Sequence, residues 1–257
     1  MPDSYRTLKL EQKQHTAWIT LDRPDKLNAI NNVMLQELSE AIDSLEKDAN
    51  TRCIVIMGAG NWAFSAGADL TELRKLNPEN AAEFSVKGQQ LFSKLEALSK
   101  PVLAAICGYA VGGGLELALA CDFRIAADNA ELGFPEIKLG FIPAWGGTQR
   151  LPLAVGASNA KRMIMFGERI QADEAHEIGL VDKVVPLKEL EAEAETLAQR
   201  LSECPAAALK HAKFVVNSVT KVTPDGLKKE TEAFVRLFSS KETRDKLDAF
   251  GSQRNKK

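Results

Sequence analysis

Two short apolar stretches that each end at a glycine constrain the fold of this chain more than any other feature. Cys53–Gly58 and Pro101–Gly108 show no alternation of polar and apolar side chains, which is typical of strands buried on both faces of a parallel sheet. A segment with helical spacing, Pro78–Leu98, lies between them. Because parallel strands need crossover connections, the sequence predicts an α/β fold with a stacked or parallel sheet.

The same pattern extends to both sides of these strands. Tyr5–Glu11 and Ala17–Leu21 are predicted to form a hairpin, and Asn31 or Asn32 is predicted to cap the helix that follows. Phe123–Ala127 is predicted as a further strand. These elements belong to an α/β core that we expect to span residues 1–190.

The C-terminal third of the chain favours helix. Within it, only Lys183–Val185 is predicted as a strand, and residues 191–257 are predicted to form a helical C-terminal region. The helices predicted from residue 157 onward are Ala157–Phe166, Ala172–Ile178, Leu187–Glu203, Pro205–Ser218 and Thr223–Phe250.

Composition and charge argue against several classes of protein. The 257 residues are 45% hydrophobic and 26% charged, and the net charge of −2 gives no reason to expect nucleic acid or an anionic membrane as a partner. There is no signal pattern and no apolar run long enough to span a bilayer.

The three histidines form no ligand cluster, so no metal is expected. Four separated cysteines, Cys53, Cys107, Cys121 and Cys204, predict reduced thiols in a cytoplasmic protein.

Two loops of small residues follow the predicted strands. Gly112–Gly114 opens an apolar helical run, and the first N–H groups of a helix have no partner inside it. Ser65–Asp69 is a similar loop, so two backbone N–H groups can meet at one developing oxyanion. Taken singly, each loop is more often a closely packed turn, and neither matches a dinucleotide fingerprint or P-loop. Ser65 lacks the context of a hydrolase nucleophile.

Two glutamates stand in apolar surroundings beside these turns. Glu116 lies in the helical run after the glycines, and Glu136 follows a proline in the segment Phe134–Leu139. A buried carboxylate costs free energy unless it is paired or protonated, so an ion pair with Arg124 or Arg150 is the alternative for Glu116. Together with two loops that present N–H groups, the pair favours acid–base catalysis.

Four blocks of the sequence resemble the enoyl-CoA hydratase/isomerase family, also called the crotonase family. They are RPDKLNAI from Arg23, FSAGADL from Phe64, GYAVGGGLELALACDFRIAADNAELGFPEIKLG from Gly108 and GGTQRLP from Gly146. Their order and spacing match over nearly the whole chain. The resemblance implies a crotonase-like α/β fold of stacked ββα units with a helical C-terminal trimerisation region. The expected assembly is a homotrimer or a hexamer built as a dimer of trimers.

The resemblance also implies an activity. It indicates a short-chain enoyl-CoA hydratase of fatty acid metabolism, which adds water reversibly and syn to the double bond of a 2-enoyl-CoA thioester to give a 3-hydroxyacyl-CoA. No cofactor is expected, because CoA is part of the substrate. The alternatives are an isomerase or a hydratase of branched or unusual acyl groups in the same family. A non-catalytic, RNA-binding member is a weaker alternative, because the C-terminal helices are mixed in charge.

The family pattern assigns roles to particular residues. The N–H groups of Ala68 and Gly113 are expected to bind the thioester oxygen, Glu116 to activate water and Glu136 to donate the proton. Keeping both glutamates favours hydration over isomerisation. CoA is expected to lie along Lys26, Leu27 and Ala29 on one loop and Ala66, Asp69 and Leu70 on the facing loop.

Two parts of the sequence, Trp145 and the C-terminal segment, depart from the family pattern. Trp145 stands where many relatives have a smaller residue, and it either shortens the acyl pocket or packs at a subunit contact. The C-terminal segment from Arg244 differs from the segment with which relatives reach CoA, so a role for Arg254 and the terminal lysines is not carried over.

Gly113→Val is expected to remove turnover and leave the fold intact, because the new side chain is expected to face the cleft.

Overall fold

The computed structural model of the protein describes residues 5–219 and 222–254. The strands are β1 (Leu8–Lys13), β2 (Thr16–Leu21), β3 (Cys53–Gly58), β4 (Ala63–Ser65), β5 (Val102–Ile106), β6 (Tyr109–Val111), β7 (Phe123–Ala127), β8 (Glu131–Gly133), β9 (Arg169–Gln171) and β10 (Lys183–Val185). The helices are α1 (Asn32–Lys47), α2 (Leu70–Leu73), α3 (Pro78–Glu96), α4 (Gly113–Leu119), α5 (Gly147–Phe166), α6 (Ala172–Glu177), α7 (Leu190–Glu203), α8 (Ala206–Val219), α9 (Pro224–Phe238) and α10 (Lys241–Arg254). Short 3₁₀ helices cover Pro24–Lys26, Pro135–Leu139 and Leu187–Glu189.

Two sheets organise these elements. The larger sheet has the strand order β1-β2-β3-β5-β7-β10, and it is parallel apart from the β1–β2 hairpin. The smaller sheet has the order β4-β6-β8-β9, with only β9 antiparallel. A strand of the larger sheet is followed within a few residues by a strand of the smaller one three times, at β3–β4, β5–β6 and β7–β8. The predicted repetition of stacked β units is therefore present.

The core lies on both faces of the larger sheet, as the two continuous apolar stretches predict. Ile54, Ile56, Ala104 and Ile106 pack in the main cluster with α1 and α3. The alternate side chains of β3 and β5 point to the other face, where they meet a second cluster that includes Ala194 and Ala198 of α7. Since a strand presents successive side chains to opposite faces, burial on both sides requires apolar residues throughout.

The helical C-terminal third is confirmed, with differences in detail. The predicted helix Thr223–Phe250 is two helices, α9 and α10, and the second begins after Ser240, whose hydroxyl accepts from the Thr243 N–H at 3.3 Å. Helix α5 begins ten residues before the predicted Ala157 and has a non-helical residue at Gly156. The four strands of the smaller sheet, β4, β6, β8 and β9, were not predicted, because each has only three residues and three residues carry little periodicity. The division into a 1–190 core and a 191–257 region stays a prediction.

Two further expectations concern cysteines and membranes. All four cysteines are free, with Cys53, Cys107 and Cys121 buried and Cys204 exposed. Among residues 5–219 and 222–254, none of the helices combines the length and apolar character needed to cross a membrane.

Candidate active site

The two small-residue loops meet because the strands before them are neighbours. β4 and β6 pair in parallel, so the segments after their C-terminal ends leave the sheet on the same side. Gly67 has a φ of +86°, and a Cβ there would lie 3.1 Å from the Gly113 nitrogen. A Cβ at Gly113 would lie 3.4 Å from the Ala68 nitrogen. The backbone nitrogens of Ala68 and Gly113 therefore lie close together, and their binding of one substrate oxygen stays a prediction.

Neither of these N–H groups is needed by the local ladder or helix. Ala68 forms a parallel bridge with Ile30, in which the Asp69 N–H donates to Ile30 and the Gly67 carbonyl accepts from Ile30. Gly113 is the first residue of α4, where the N–H has no partner inside the helix. The pair can therefore donate to one oxygen between them. Ser65 is part of this scaffold, because its buried hydroxyl accepts from the Gly67 N–H at 3.1 Å.

Glu116 lies in the first turn of α4 and is almost completely buried. Its Oε1 accepts from the N–H groups of Trp145 at 2.8 Å and Gly147 at 2.7 Å. The ion-pair alternative is wrong. Arg150 pairs with Glu96 at 3.2 Å, and the Arg124 guanidinium donates to the carbonyl oxygens of Leu180 and Cys121.

Burial raises the pKa of Glu116 well above its usual range, and the charges of Glu230 and Glu136 raise it further. The hydrogen bonds from Gly147 and Trp145 act in the opposite direction. This carboxyl therefore combines an unfavourable environment for charge with two donors that favour the ionised form. A group in such a balance is suited to gaining and losing a proton.

Glu136 lies in the 3₁₀ helix Pro135–Leu139 and approaches the glycine loop from the other side. A Cβ at Gly112 would lie 2.6 Å from its Oε1, and Gly112 has a φ of +53°. In the described part of the chain, its Oε2 is buried and has no hydrogen-bond partner. Burial raises the pKa of Glu136 to about 8. At neutral pH this carboxyl therefore favours its protonated form, and its Oε2 is without a partner near the glycine loop.

Trp145 lies behind the glycine loop and is 1% exposed. Its indole N–H donates to the Phe84 carbonyl at 3.1 Å, and its ring packs edge-on against Phe92 with centroids 5.7 Å apart. A Cβ at Gly113 would lie 2.4 Å from the Trp145 ring. The expectation that a side chain at Gly113 faces the cleft is therefore wrong, because it faces this indole. The alternative of a subunit contact is also wrong for a ring packed inside its own protomer.

The residues expected to line CoA fall on two segments that the structure brings together. The Ala66 N–H donates to the Leu27 carbonyl at 2.9 Å, and Leu27 has a φ of +51° at the end of the turn that holds the exposed Lys26. Half-buried Ala29 and Leu70 flank this contact. The terminal lysines and the side chain of Arg254 lie outside the described residues.

The carboxylate of Asp69 has a structural role in this segment. It accepts from the Arg23 guanidinium at 2.8 Å and caps α2 through the Thr71 N–H at 2.9 Å. Burial acts to raise the pKa of Asp69, but the hydrogen bonds from Thr71 and Arg23 hold that pKa below its usual value. Its backbone remains available to line a ligand, while its side chain is engaged.

Two buried polar residues near the site were missed by the sequence analysis. Asn28 has a φ of +54°, and its amide donates to the carbonyls of Ala59 at 3.0 Å and Ala63 at 2.7 Å, which fixes the loop. Glu230 of α9 is buried beside Glu116. A signal for Glu230 existed, because it lies four and eight residues before Phe234 and Phe238 and so shares their helix face.

No group of three histidine, cysteine, aspartate or glutamate side chains that could hold a metal ion occurs within residues 5–219 and 222–254. The expectation that the protein needs no metal stays a prediction.

Comparison with known proteins agrees with this architecture. The sequence model of the family described as enoyl-CoA hydratase/isomerase matches residues 11–257. The short-chain-enoyl-CoA hydratase of Clostridium acetobutylicum is 40% identical over 246 residues, which cover 95% of this chain and 94% of the relative. The crotonyl-CoA hydratase of Syntrophomonas wolfei is 38% identical over 252 residues, covering 98% of this chain and 97% of the relative.

Solved structures show the same fold. An enoyl-CoA hydratase/isomerase from Xanthobacter autotrophicus Py2 superposes with a TM-score of 0.89 at 32% identity, covering 98% of each chain. The enoyl-CoA hydratase of Bacillus anthracis has a TM-score of 0.82 at 38% identity, covering 96% of this chain and 97% of that one. From the match over nearly its whole length, the chain belongs to the enoyl-CoA hydratase/isomerase family and has the crotonase fold.

Proposed function

We propose that the protein is a short-chain enoyl-CoA hydratase, which adds water reversibly to the double bond of a 2-enoyl-CoA and gives a 3-hydroxyacyl-CoA. The observation that carries this proposal is the presence of two buried carboxyls, Glu116 and Glu136, on either side of the glycine loop that presents the Gly113 N–H. Hydration needs both a base for water and an acid for the α-carbon, and these two groups supply them.

The first part of the reaction is binding of the thioester. Its carbonyl oxygen accepts from the N–H groups of Ala68 and Gly113, which stabilise the negative charge as an enolate-like state develops. The positive end of α4 lies at Gly113 and favours the same charge. Because these donors are backbone groups held by buried loops, they need little reorganisation during the reaction.

The second part is proton transfer. Glu116 takes a proton from water while the water oxygen bonds to the β-carbon, and Glu136 gives its proton to the α-carbon. Water is thereby added as H and OH, and exchange with solvent after product release returns both carboxyls to their starting states. The pKa of about 8 for Glu136 supports its role as the acid at neutral pH. The two N–H donors at Oε1 of Glu116 support its role as the base.

The short-chain preference rests on the aromatic wall behind the glycine loop. Trp145 packs against Phe84 and Phe92 with ring centroids 5.0 and 5.7 Å apart, directly behind Gly113. Such a wall limits how far an acyl chain extends from the thioester. Two relatives with about 40% identity are named for short-chain or crotonyl substrates, which agrees with this preference.

We extend the proposal to CoA contacts along Lys26, Leu27 and Ala29 and the facing segment Ala66–Leu70.

We also propose assembly as a homotrimer or as a dimer of trimers. Phe214, Val215 and Val216 on α8 are exposed, as are Met165 and Phe166 at the end of α5. Large exposed side chains grouped on one helix are typical of a surface covered by another subunit.

The cytoplasmic location, the place in fatty acid metabolism and the lack of a cofactor beyond the substrate's own CoA stay predictions.

The test is a panel of thioesters. Initial rates are measured with straight-chain and branched 2-enoyl-CoA and 3-hydroxyacyl-CoA substrates of four to twelve carbons, and with the 3-enoyl-CoA isomers as the control for isomerase activity. We expect the highest kcat/KM for the four-carbon 2-enoyl thioester. Conversion of 3-enoyl but not 2-enoyl substrates would establish the isomerase alternative, and a preference for branched chains would overturn the short-chain assignment.

A further inference from the structure

A third carboxylate, Glu230, is buried at the site without a part in the reaction described above. It lies on α9 in the helical C-terminal third and is 2% exposed. Its Oε1 accepts from the side-chain amide of Gln89 at 3.1 Å. Both of its oxygens also contact the turn that leads into α5, which is the same turn that holds Glu116.

The two glutamates accept hydrogen bonds from alternate residues of this turn. Glu116 accepts from the N–H groups of Trp145 and Gly147, at 2.8 and 2.7 Å. Glu230 accepts from the alternate N–H groups, Gly146 at 2.6 Å and Thr148 at 3.0 Å, and from the Thr148 hydroxyl at 2.5 Å. The two carboxylates therefore accept from four successive N–H groups. Because Glu230 fixes two of these residues, it also restrains the turn whose other two N–H groups bind Glu116.

Capping of α5 alone does not explain this arrangement. A serine or threonine hydroxyl can cap a helix without bringing a buried charge into the protein. A carboxylate buried beside another carboxylate is unfavourable by both desolvation and like-charge repulsion. A single capping hydroxyl binds one or two N–H groups at the helix start. Glu230 binds both Gly146 and Thr148, and it thereby also restrains the neighbouring residues whose N–H groups orient Glu116.

We propose that Glu230 is a positioning residue for hydration: by holding Gly146 and Thr148, it keeps the Trp145 and Gly147 N–H groups directed at Glu116 and so keeps the base aligned with the N–H pair of Ala68 and Gly113. The inference rests on the proposed hydratase function. It makes α9 a part of the active site in each protomer, in addition to any role of the C-terminal helices in assembly.

The first experiment is Glu230→Gln with steady-state kinetics on the four-carbon 2-enoyl-CoA. Glutamine keeps the size of the side chain but presents an amide donor where an N–H group needs an acceptor. A shift of the base by a fraction of an ångström to 1 Å is expected to lower kcat by roughly 10- to 100-fold. KM is expected to stay within about two-fold of wild type, since the Ala68 and Gly113 donors and the CoA segments do not contact Glu230.

Glu37 offers a matched control for lost stability. It is also a buried glutamate, and it accepts from the N–H groups of Arg6 at 2.8 Å and Thr7 at 2.9 Å and from the Thr7 hydroxyl at 2.6 Å. Glu37→Gln therefore removes a similar set of hydrogen bonds, between α1 and the segment that precedes β1, and none of these partners has a role in the proposed reaction. It is expected to lower Tm as Glu230→Gln does, while kcat stays at the wild-type value.

The double variant Glu116→Gln/Glu230→Gln separates positioning from an independent contribution. If Glu230 acts through Glu116, the double variant is expected to have the kcat of Glu116→Gln alone. Losses that multiply would overturn the inference. If Glu230→Gln does not fold, Glu230→Asp, which keeps the charge but is one methylene shorter, is expected to lower kcat several-fold at unchanged KM.

The outcomes also distinguish this inference from the proposed function. An active wild type whose Glu230 variants keep full kcat and lose only Tm would overturn the positioning role alone. A wild type with no hydratase activity on any thioester of the panel would overturn the proposed function and this inference with it.

Discussion

Among single residues, Glu136 has an environment that a purely structural carboxyl seldom has. Its Oε2 is buried without a hydrogen-bond partner in the described part of the chain, and an unsatisfied buried polar group costs about 1–3 kcal/mol. Glu116, in contrast, is engaged by two N–H donors. Burial raises the pKa of both carboxyls, so the difference between them lies in hydrogen bonding. The two donors at Glu116 favour its ionised form, which supports the proposed role as base.

Replacing either carboxyl by an amide tests this division. Glu116→Gln and Glu136→Gln keep the side-chain size but remove the acid–base group, so kcat is expected to fall by roughly 10²–10⁴-fold, with a smaller change in KM. Stopped-flow or steady-state assays of 2-enoyl-CoA hydration measure the effect. The assignment fails if both variants hydrate at close to the wild-type rate.

The raised pKa of Glu136 also predicts how stability depends on pH. The folded protein holds this proton up to about pH 8, whereas the unfolded chain releases it near its usual value of 4.5. The contribution to stability is therefore complete below pH 4.5 and is lost as pH rises through about 8, with a slope of at most about 1.4 kcal/mol per pH unit.

Glu136→Gln removes this titration. Urea unfolding at fixed protein concentration, at several values between pH 5 and pH 8, is expected to show a smaller decrease in the free energy of unfolding for the variant than for wild type. Identical pH dependence in the two proteins would contradict a raised pKa at this residue.

Among elements, the glycine loop, α4 and the turn into α5 form one packed unit. The Gly113 backbone lies against the Trp145 ring, and the Trp145 and Gly147 N–H groups hold Glu116 on α4. The absence of a side chain at Gly113 therefore serves packing as well as access to the N–H group. A substitution at this residue affects both at once.

Gly113→Val is accordingly expected to lower stability as well as turnover. Its Cβ would lie 2.4 Å from the indole, and overpacking of this kind typically costs about 1–3 kcal/mol. Thermal melts and hydration assays on the same sample measure both effects. Gly113→Val combined with Trp145→Leu should recover part of the Tm lost by Gly113→Val alone, and a Gly113→Val protein with wild-type Tm would show that the indole does not limit this site.

On the scale of the whole molecule, the C-terminal helices contact the site and also present apolar surface. Helix α9 reaches the turn into α5 through Glu230, and the Thr243 hydroxyl of α10 donates to the Gly140 carbonyl at 2.9 Å, close to Glu136. Helix α8 has a different character, with Phe214 71% exposed. A surface of this kind is costly in water unless another subunit covers it.

Light scattering of the purified protein at low micromolar concentration tests the assembly. The expected mass is three or six times the chain mass of 28.1 kDa. Phe214→Asp is expected to shift the population toward smaller species, because a charge in a buried interface is strongly unfavourable. Trp62 is an exposed aromatic residue on the loop before β4, and Trp62→Asp is the matched control, which should leave the measured mass unchanged. A stable, active wild-type monomer would rule out the proposed assembly.

Local sequence by itself determined the long strands and helices and the main site residues. The strands β3 and β5 were predicted because burial on two faces leaves a continuous apolar run. Asn31 was one of two predicted caps of α1, and in the structure its side chain accepts from the Met34 N–H. Glu116 and Glu136 were predicted from their apolar surroundings beside glycine-rich turns, and the family blocks added the individual N–H donors Ala68 and Gly113. In each case the signal lies within a few residues of the position it concerns.

Tertiary structure decided which distant groups meet. Arginines were the alternative partners predicted for Glu116, but its donors are N–H groups 29 and 31 residues away. A side chain at Gly113 was predicted to face the cleft, whereas the Trp145 ring occupies that direction. Glu230 meets the same turn across 84 residues. Helical periodicity can indicate that such a residue faces inward, but its partner depends on how α9 packs against α3 and α5, and that packing is set by the whole core.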